Sequence, residues 1–242
     1  FCRLLFGYII KQGKFSSMKD IEKNVKNLLN SLPEANPFGE KITLVGAVKT
    51  QTPEDIDAAV KAGIRCIGDN RVQEFRDKYE LISQPCERHF IGRLQTNKIK
   101  YLIGKIDLYH SVDRFDLADE LSRRSERAGV SSNILLQVNI GREQSKGGFD
   151  IDEIDGVYEK VSKLCSLKVK GLMAMLPASE DKELLCSLAH MMRTAYDRLK
   201  SADKDICTLS MGMSGDYELC IGQGSNMIRL GTAIFGNRNY NV

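Results

Sequence analysis

The sequence predicts a single-domain α/β protein of the (β/α)8 barrel class, the TIM barrel, and three observations carry that prediction. Eight short apolar runs recur along the 242 residues, continuous rather than alternating, as parallel strands covered on both faces should be. Each of the first seven is followed by a segment whose apolar residues fall at helical spacing, so the chain reads as repeated βα units. Eight such units in about 200 residues suit a closed barrel, with a doubly wound open sheet as the alternative.

The elements follow in order. Ile21, Val25, Leu28 and Leu29 mark a helix between Met18 and Leu32, and Pro33 and Pro37 break the chain after it. "KITLVGAVK" (41–49) is the first strand. Thr52-Pro53-Glu54-Asp55 then forms a capping box with proline at the first helical position. Ile56, Ala59 and Val60 give that helix an apolar stripe, and Gly63 stands where the chain must leave it. "IRCIG" (64–68) precedes a helix from about Arg71 to Leu81, and "RHFIG" (88–92) precedes a helix near 96–103. "DLYHSV" (107–112) leads to a helix capped at Asp113 and closed by Gly129. "NILLQVNI" (133–140) leads through a glycine-rich loop to a helix near 151–164, and "KVKGLMAM" (168–175) to a long helix near 180–200. "TLSMG" (208–212) precedes a short helix near 215–221, and "MIRLGTAIFG" (227–236) is the last strand.

Composition excludes several classes. With 42% hydrophobic and 28% charged residues the chain reads as an ordinary globular protein that needs neither disulfides nor metal to stand. Its seven cysteines are odd in number, widely spaced and without C-x-x-C, which argues against a disulfide framework and a zinc knuckle and fits a reducing cytoplasm. Net charge is +3 with no basic arm. Arg93, Lys98, Lys100 and Lys105 lack aromatic interleaving and read as a solvated face, not a nucleic-acid site. The opening "FCRLLFGYIIKQGKFSS" is too short to span a membrane and lacks a cleavage site; residues 1–17 are expected to be a non-native or disordered extension, and residues 18–242 the barrel. No membrane partner and a monomer are expected.

In this fold the chemistry sits where strands end, so polar residues there are the candidates. Lys49 closes the first strand; an ammonium left dry at a barrel mouth is costly, its pKa falls, and the amine becomes a nucleophile suited to Schiff-base chemistry. A lysine snorkelling to solvent is the plainer reading. Asp69-Asn70 end the second strand, Gly92-Arg93 the third and Asn139 the fifth. Loops after strands 7 and 8 commonly hold phosphate in barrels: Ser214-Gly215-Asp216 opens a short helix, and Gly231-Thr232 offers bare backbone and a hydroxyl. Arg229 shares parity with Met227 and Gly231, so it faces the same side; buried there it needs an acceptor, either a ring nitrogen or a neighbouring carboxylate. Gly222-Gln223-Gly224-Ser225 reads as a turn. His89, His110 and His190 are single and scattered structural histidines. No metal-ligand spacing and no catalytic Ser/His/Asp order stands out.

Together "LVGAVKT", "IGDNRVQEF", "HFIGRLQTNK", "LLQVNIGREQSKGGF", "GLMAM" and "LSMGMSGDYELCIGQGSNMIRLGTAIFG" make the chain resemble the YggS/PROSC family of pyridoxal phosphate homeostasis proteins, from about Lys19 to Tyr240. That family's barrel is similar to the N-terminal domain of alanine racemase, fold type III among pyridoxal phosphate proteins. The resemblance implies that Lys49 carries pyridoxal 5′-phosphate as a Schiff base. It further implies that Ser214, Gly231 and Thr232 hold the phosphate, that Arg229 faces the pyridine nitrogen, and that Asn70 lies beside the cofactor. "GDNRVQE" departs from the family's "GENYVQE" at Asp69 and Arg71, and Arg93 stands where many members have His or Pro, so no role is carried to it. An arginine at the ring nitrogen keeps its proton and leaves a weak electron sink. Alanine racemase also uses a tyrosine that a second domain helps to position, and no second domain is read here. The expectation is therefore a cofactor-binding homeostasis protein with no catalytic residues, its implied partners being pyridoxal phosphate-dependent apoenzymes; an amino-acid racemase is the alternative.

Overall fold

Strand pairing follows the chain. The structure, a computed structural model, describes residues 20–236. In it β1 (Thr43–Ala47), β2 (Cys66–Asp69), β3 (Glu87–Phe90), β4 (Leu108–Val112), β5 (Ser132–Val138), β6 (Leu167–Ala174), β7 (Thr208–Ser210) and β8 (Met227–Leu230) form a closed barrel in sequence order. All pairings are parallel, and the barrel is sealed where Thr43 of β1 lies against Met227 and Gly46 against Leu230 of β8. The (β/α)8 expectation holds, not the open sheet. The expected extension over residues 1–17, with Cys2, lies outside the described residues.

Helices clothe the barrel: α1 over residues 20–31, α2 (Pro53–Ala62), α3 (Val72–Lys78), α4 (Phe115–Arg127), α5 (Ile154–Val161), α6 (Lys182–Ala202), α7 (Tyr217–Gly222) and α8 (Thr232–Phe235). The residues at helical spacing in α1, Ile21, Val25 and Leu28, are buried against β1, β8 and α2. At α2 the capping signal works as read: the Thr52 hydroxyl accepts from the Asp55 N–H at 3.2 Å, Pro53 is the first helical residue, and Gly63 leaves at φ 129°.

Two local expectations fail for physical reasons. The segment near 96–103 is a 3-10 helix, Thr96–Tyr101, in which Ile99 and Leu102, three residues apart, are both fully buried. A three-residue period puts them on one side, and the segment is too short to make an α-helix self-sustaining. Asp113 does not cap α4. Its carboxylate is taken by Arg114 at 2.6 Å and faces Arg93 at 3.7 Å, and α4 starts from Arg114 with no side-chain cap. The fifth helical segment is a 3-10 turn, Ile151–Glu153, running into α5. An eighth helix, α8, follows β8 where none was expected.

Inside the barrel, inward positions stack as an apolar cluster of Val45, Cys66, Leu108, Leu135, Met173 and Met227, joined by Ile91 and Met175. None of the described cysteines is in a disulfide. No helix among the described residues is long and apolar enough to cross a membrane. Arg93, Lys98, Lys100 and Lys105 are exposed, although the rings of Tyr101 and Tyr79 lie against Lys100 and Lys105.

Candidate functional site

The backbone on both sides of Lys49 is clamped by α3. Val48 donates its N–H to Gly68 of β2 at 3.0 Å and accepts the Lys78 ammonium on its carbonyl at 3.2 Å. Thr50 follows with φ 64°, a left-handed conformation that a β-branched residue adopts at a cost of about 1–3 kcal/mol. The Glu74 carboxylate holds it there, accepting the Thr50 N–H at 2.8 Å while pairing with Lys78 at 3.5 Å. Glu74 and Lys78 are the site residues that reading the sequence missed. Glu74 lies in "IGDNRVQEF", but only the fold shows that it reaches back to the exit of β1. Lys49 itself is half-buried rather than dry, and its amine has no hydrogen bond or ion pair among the described residues.

Asn70 leaves β2 beside it. A Cβ on Gly92 would stand 1.9 Å from the Asn70 carbonyl oxygen, so glycine at the exit of β3 is what lets Asn70 sit there. The Asn70 Oδ1 is buried and has no hydrogen-bond partner among the described residues, an uncommon and unfavourable state for a side-chain acceptor. Asp69, also buried, is pushed up to about 6 by desolvation, with Lys78 and Arg88 pulling the other way.

Arg229 reaches into the barrel from β8 and is 6% exposed. Its guanidinium donates to the Ser210 carbonyl at 3.1 Å, to the Ser210 hydroxyl at 2.5 Å and to the Ala174 carbonyl at 3.0 Å. These are neutral acceptors, so the alternative of a carboxylate ion pair on a neighbouring strand does not hold. Burial pulls its pKa down to about 10, opposed by Cys220 and Asp216, which still leaves it charged at neutral pH.

The loops at β7 and β8 lie open. Asp216 accepts the Met213 N–H at 2.6 Å and shapes the turn before α7. Ser214 within that turn is exposed, and the N–H groups of Ser214 and Gly215 have no acceptor among the described residues. At Gly231 a Cβ would come 3.3 Å from the Ala47 carbonyl, so the exits of β8 and β1 are packed against each other. Thr232 opens α8, exposed. The six candidates therefore come together: Ser214, Gly231–Thr232, Lys49 and Asn70 leave four successive strands, β7, β8, β1 and β2, and Arg229 lies below them. Asn139 stands apart, its amide clipping its own loop to the carbonyls of Glu143 and Lys146. Next to Asn70 a cleft of about 210 Å³ is lined by Arg71, Arg76, Arg93, Lys98 and Tyr101 and favours anions. A larger cavity, about 820 Å³, lies at the other end of the barrel.

His190 is isolated and exposed, but His89 and His110 are not scattered. His110 Nε2 lies 3.0 Å from His89 Nδ1, and His110 Nδ1 lies 3.3 Å from the Ser210 hydroxyl that also receives Arg229. Burial, then the neighbouring His89 and Arg229, hold His110 well below its usual pKa and hence neutral. The signal available in sequence was their shared inward parity on adjacent strands.

The model of the alanine racemase N-terminal domain matches residues 17–239. A pyridoxal phosphate homeostasis protein of Aquifex aeolicus is 42% identical over 199 residues, covering 81% of this chain and 87% of that protein. One from Escherichia coli is 38% identical over 232 residues, covering 92% and 99%. Among solved structures, PipY of Synechococcus elongatus with PLP bound superposes with a TM-score of 0.78 at 30% identity, covering 89% of this chain and all of that one.

Proposed function

Since the chain belongs to the pyridoxal phosphate homeostasis proteins, which carry the alanine racemase N-terminal fold, we propose that it binds pyridoxal 5′-phosphate as a Schiff base on Lys49 and serves cofactor homeostasis without substantial turnover of its own. The observation that carries this reading is an amine with no partner among the described residues, held on a strained and clamped backbone beside the orphaned Asn70 oxygen. A site built to satisfy itself would have paired both. The PLP-bound PipY neighbour supports the same ligand.

When bound, pyridoxal phosphate supplies an aldehyde for an amine and an electron-withdrawing ring. Ser214, Gly231 and Thr232 would hold its phosphate through a free N–H, bare backbone and hydroxyls, and Asn70 would lie beside it. Lys49 provides the amine, and the α3 clamp fixes the direction from which that amine approaches. Arg229 would face the ring nitrogen with protons that it does not hand over, its charge secured by the Ser210 and Ala174 carbonyls. That would keep the ring a weak electron sink, which favours holding the cofactor over transforming substrates. Pyridoxal phosphate-dependent apoenzymes would be its recipients.

Borohydride reduction followed by peptide mapping tests the attachment: a phosphopyridoxyl group on Lys49 is expected, and an adduct on any other lysine overturns it. The family description favours one second reading, an amino-acid racemase. Turnover near the ~10 s⁻¹ typical of enzymes, in a D/L interconversion assay with cofactor-saturated protein, and lost in Lys49→Ala, would establish that reading instead.

A further inference from the structure

At the end of the barrel opposite Lys49, a second group of donor atoms converges. Cys66 opens β2 and Glu87 opens β3, and the two are register partners; His89 follows two residues later on the same face as Glu87. The Cys66 Sγ lies 3.2 Å from Glu87 Oε2, and His89 Nε2 lies 3.3 Å from the same oxygen. The three donor atoms all fall within 4.8 Å of one another. A tetrahedral zinc ion with bonds of roughly 2.0–2.3 Å holds its ligand atoms about 3.4–3.6 Å apart. Two of the three edges are already close to that length. We propose that Cys66, Glu87 and His89 form a binding site for a divalent metal ion of the zinc class, with the fourth position taken by water.

Two further observations fit an ion rather than a closed hydrogen-bonded cluster. Cys66 and Glu87 both line the cavity of about 820 Å³, which gives an ion its route in and leaves room for the water. His89 is oriented from behind by His110 through its other ring nitrogen at 3.0 Å, the kind of support that metal-bound histidines use. Without metal, the thiol and the His89 Nε2–H both donate to Glu87. With metal, the thiol proton leaves to solvent and Nε2 becomes a ligand. Neutral His89 then carries its proton on Nδ1 and donates to His110, and neutral His110 carries its own on Nδ1, facing Ser210. The ion thus reverses the hydrogen-bond direction from His89 through His110 to the Ser210 hydroxyl, which accepts from the Arg229 guanidinium in both states. This last consequence bears on the proposed cofactor site; the metal site does not depend on it.

Calorimetry of the cofactor-free protein with Zn²⁺, and absorbance with Co²⁺, test the site whatever becomes of Lys49. One ion per chain is expected, with a thiolate-to-cobalt charge-transfer band. Cys66→Ser and Glu87→Gln should each weaken binding more than the ~10–100-fold that loss of an orienting partner causes, and His110→Gln by about that amount. Cys165→Ser, at an exposed thiol, should change nothing. Glu87 is largely exposed, so its variant folds and remains informative even if Cys66→Ser does not. Absence of binding, or affinity unchanged in Glu87→Gln, overturns the site; affinity unchanged in His110→Gln overturns the orienting role.

Discussion

At the N-terminal end of the barrel Glu40 is saturated with partners, whereas at the C-terminal end the Lys49 amine has none among the described residues. The Glu40 carboxylate accepts from Asn36 at 3.0 Å, Arg193 at 2.6 Å, Tyr196 at 3.2 Å and Lys200. Arg193 in turn pairs with Asp197, donates to the Gly224 carbonyl and lies over the Phe38 ring at 3.8 Å. This network ties α6 to the segments that enter β1 and β8. Burial alone would raise the Glu40 pKa, but hydrogen bonds from Lys200, Asn36 and Arg193 outweigh it and hold it at about 2. The other end carries an unpartnered amine, an orphaned amide oxygen and a strained threonine. The Glu40 network at one end is closed on itself, whereas the site around Lys49 at the other is left open, as the C-terminal ends of barrel strands commonly are.

The same truncation at the two ends should give opposite results. Lys49→Ala should abolish the borohydride-fixed adduct completely, yet leave the melting of the cofactor-free protein within about 0.5 kcal/mol of wild type. Glu40→Ala should do the reverse. Leaving Arg193 and Lys200 without their shared carboxylate should cost about 3 kcal/mol, a fall of roughly 10 °C in melting temperature. Its pH signature follows from the lowered pKa: the Glu40 contribution is complete above about 4.5 and disappears as pH falls toward about 2, so the gap between wild type and Glu40→Gln should close in that window. A gap that persists below it would mean packing, not charge, holds the network.

Asp69 sharpens the contrast, because it is a poorly satisfied carboxylate at the binding end. Its raised pKa means that the stability it allows is complete below 3.8 and is lost as pH rises through about 6. Asp69→Asn should therefore stabilise the protein by about 3 kcal/mol at pH 8 and by almost nothing at pH 3.5, as denaturant melts at the two pH values would show. The smallest effect is expected at Thr50. Thr50→Gly relieves the left-handed backbone and should raise stability by about 1 kcal/mol, while slowing adduct formation because the Lys49 backbone is less firmly set. Faster adduct formation in that variant would show that the strain has no part in presenting the amine.

The barrel was legible in the sequence because burial on both faces leaves a one-dimensional trace: "NILLQVNI" and "KVKGLMAM" read as strands with no knowledge of their neighbours. Caps such as Thr52 were legible for the same reason, since their partners lie within a turn. The candidate positions at the strand exits could be read from strand counting, although the roles of Lys49, Asn70, Ser214, Arg229, Gly231 and Thr232 came from resemblance to a family. What could not be read were contacts between elements. Glu74 reaches Thr50 across 24 positions and Cys66 meets Glu87 across 21, distances at which no local pattern survives. Asp113 misled because a good capping residue next to an arginine had a better use for its charge.

The seam between β1 and β8 has a consequence for how the protein lives in solution. Lys49 leaves the first strand and Gly231 the last, so the two halves of the proposed site meet only when Thr43 and Leu44 zip against Met227 and Ile228. That pairing joins distant parts of the chain and is the slow kind to form. A chain emerging from the ribosome, or one whose last unit has peeled away, has no place for the ligand. A ligand at 100 times its dissociation constant adds about 2.7 kcal/mol to the closed form. Cofactor supply would thus act as a clasp on the barrel, and the abundance of the protein against proteolysis would follow the concentration of the molecule it holds.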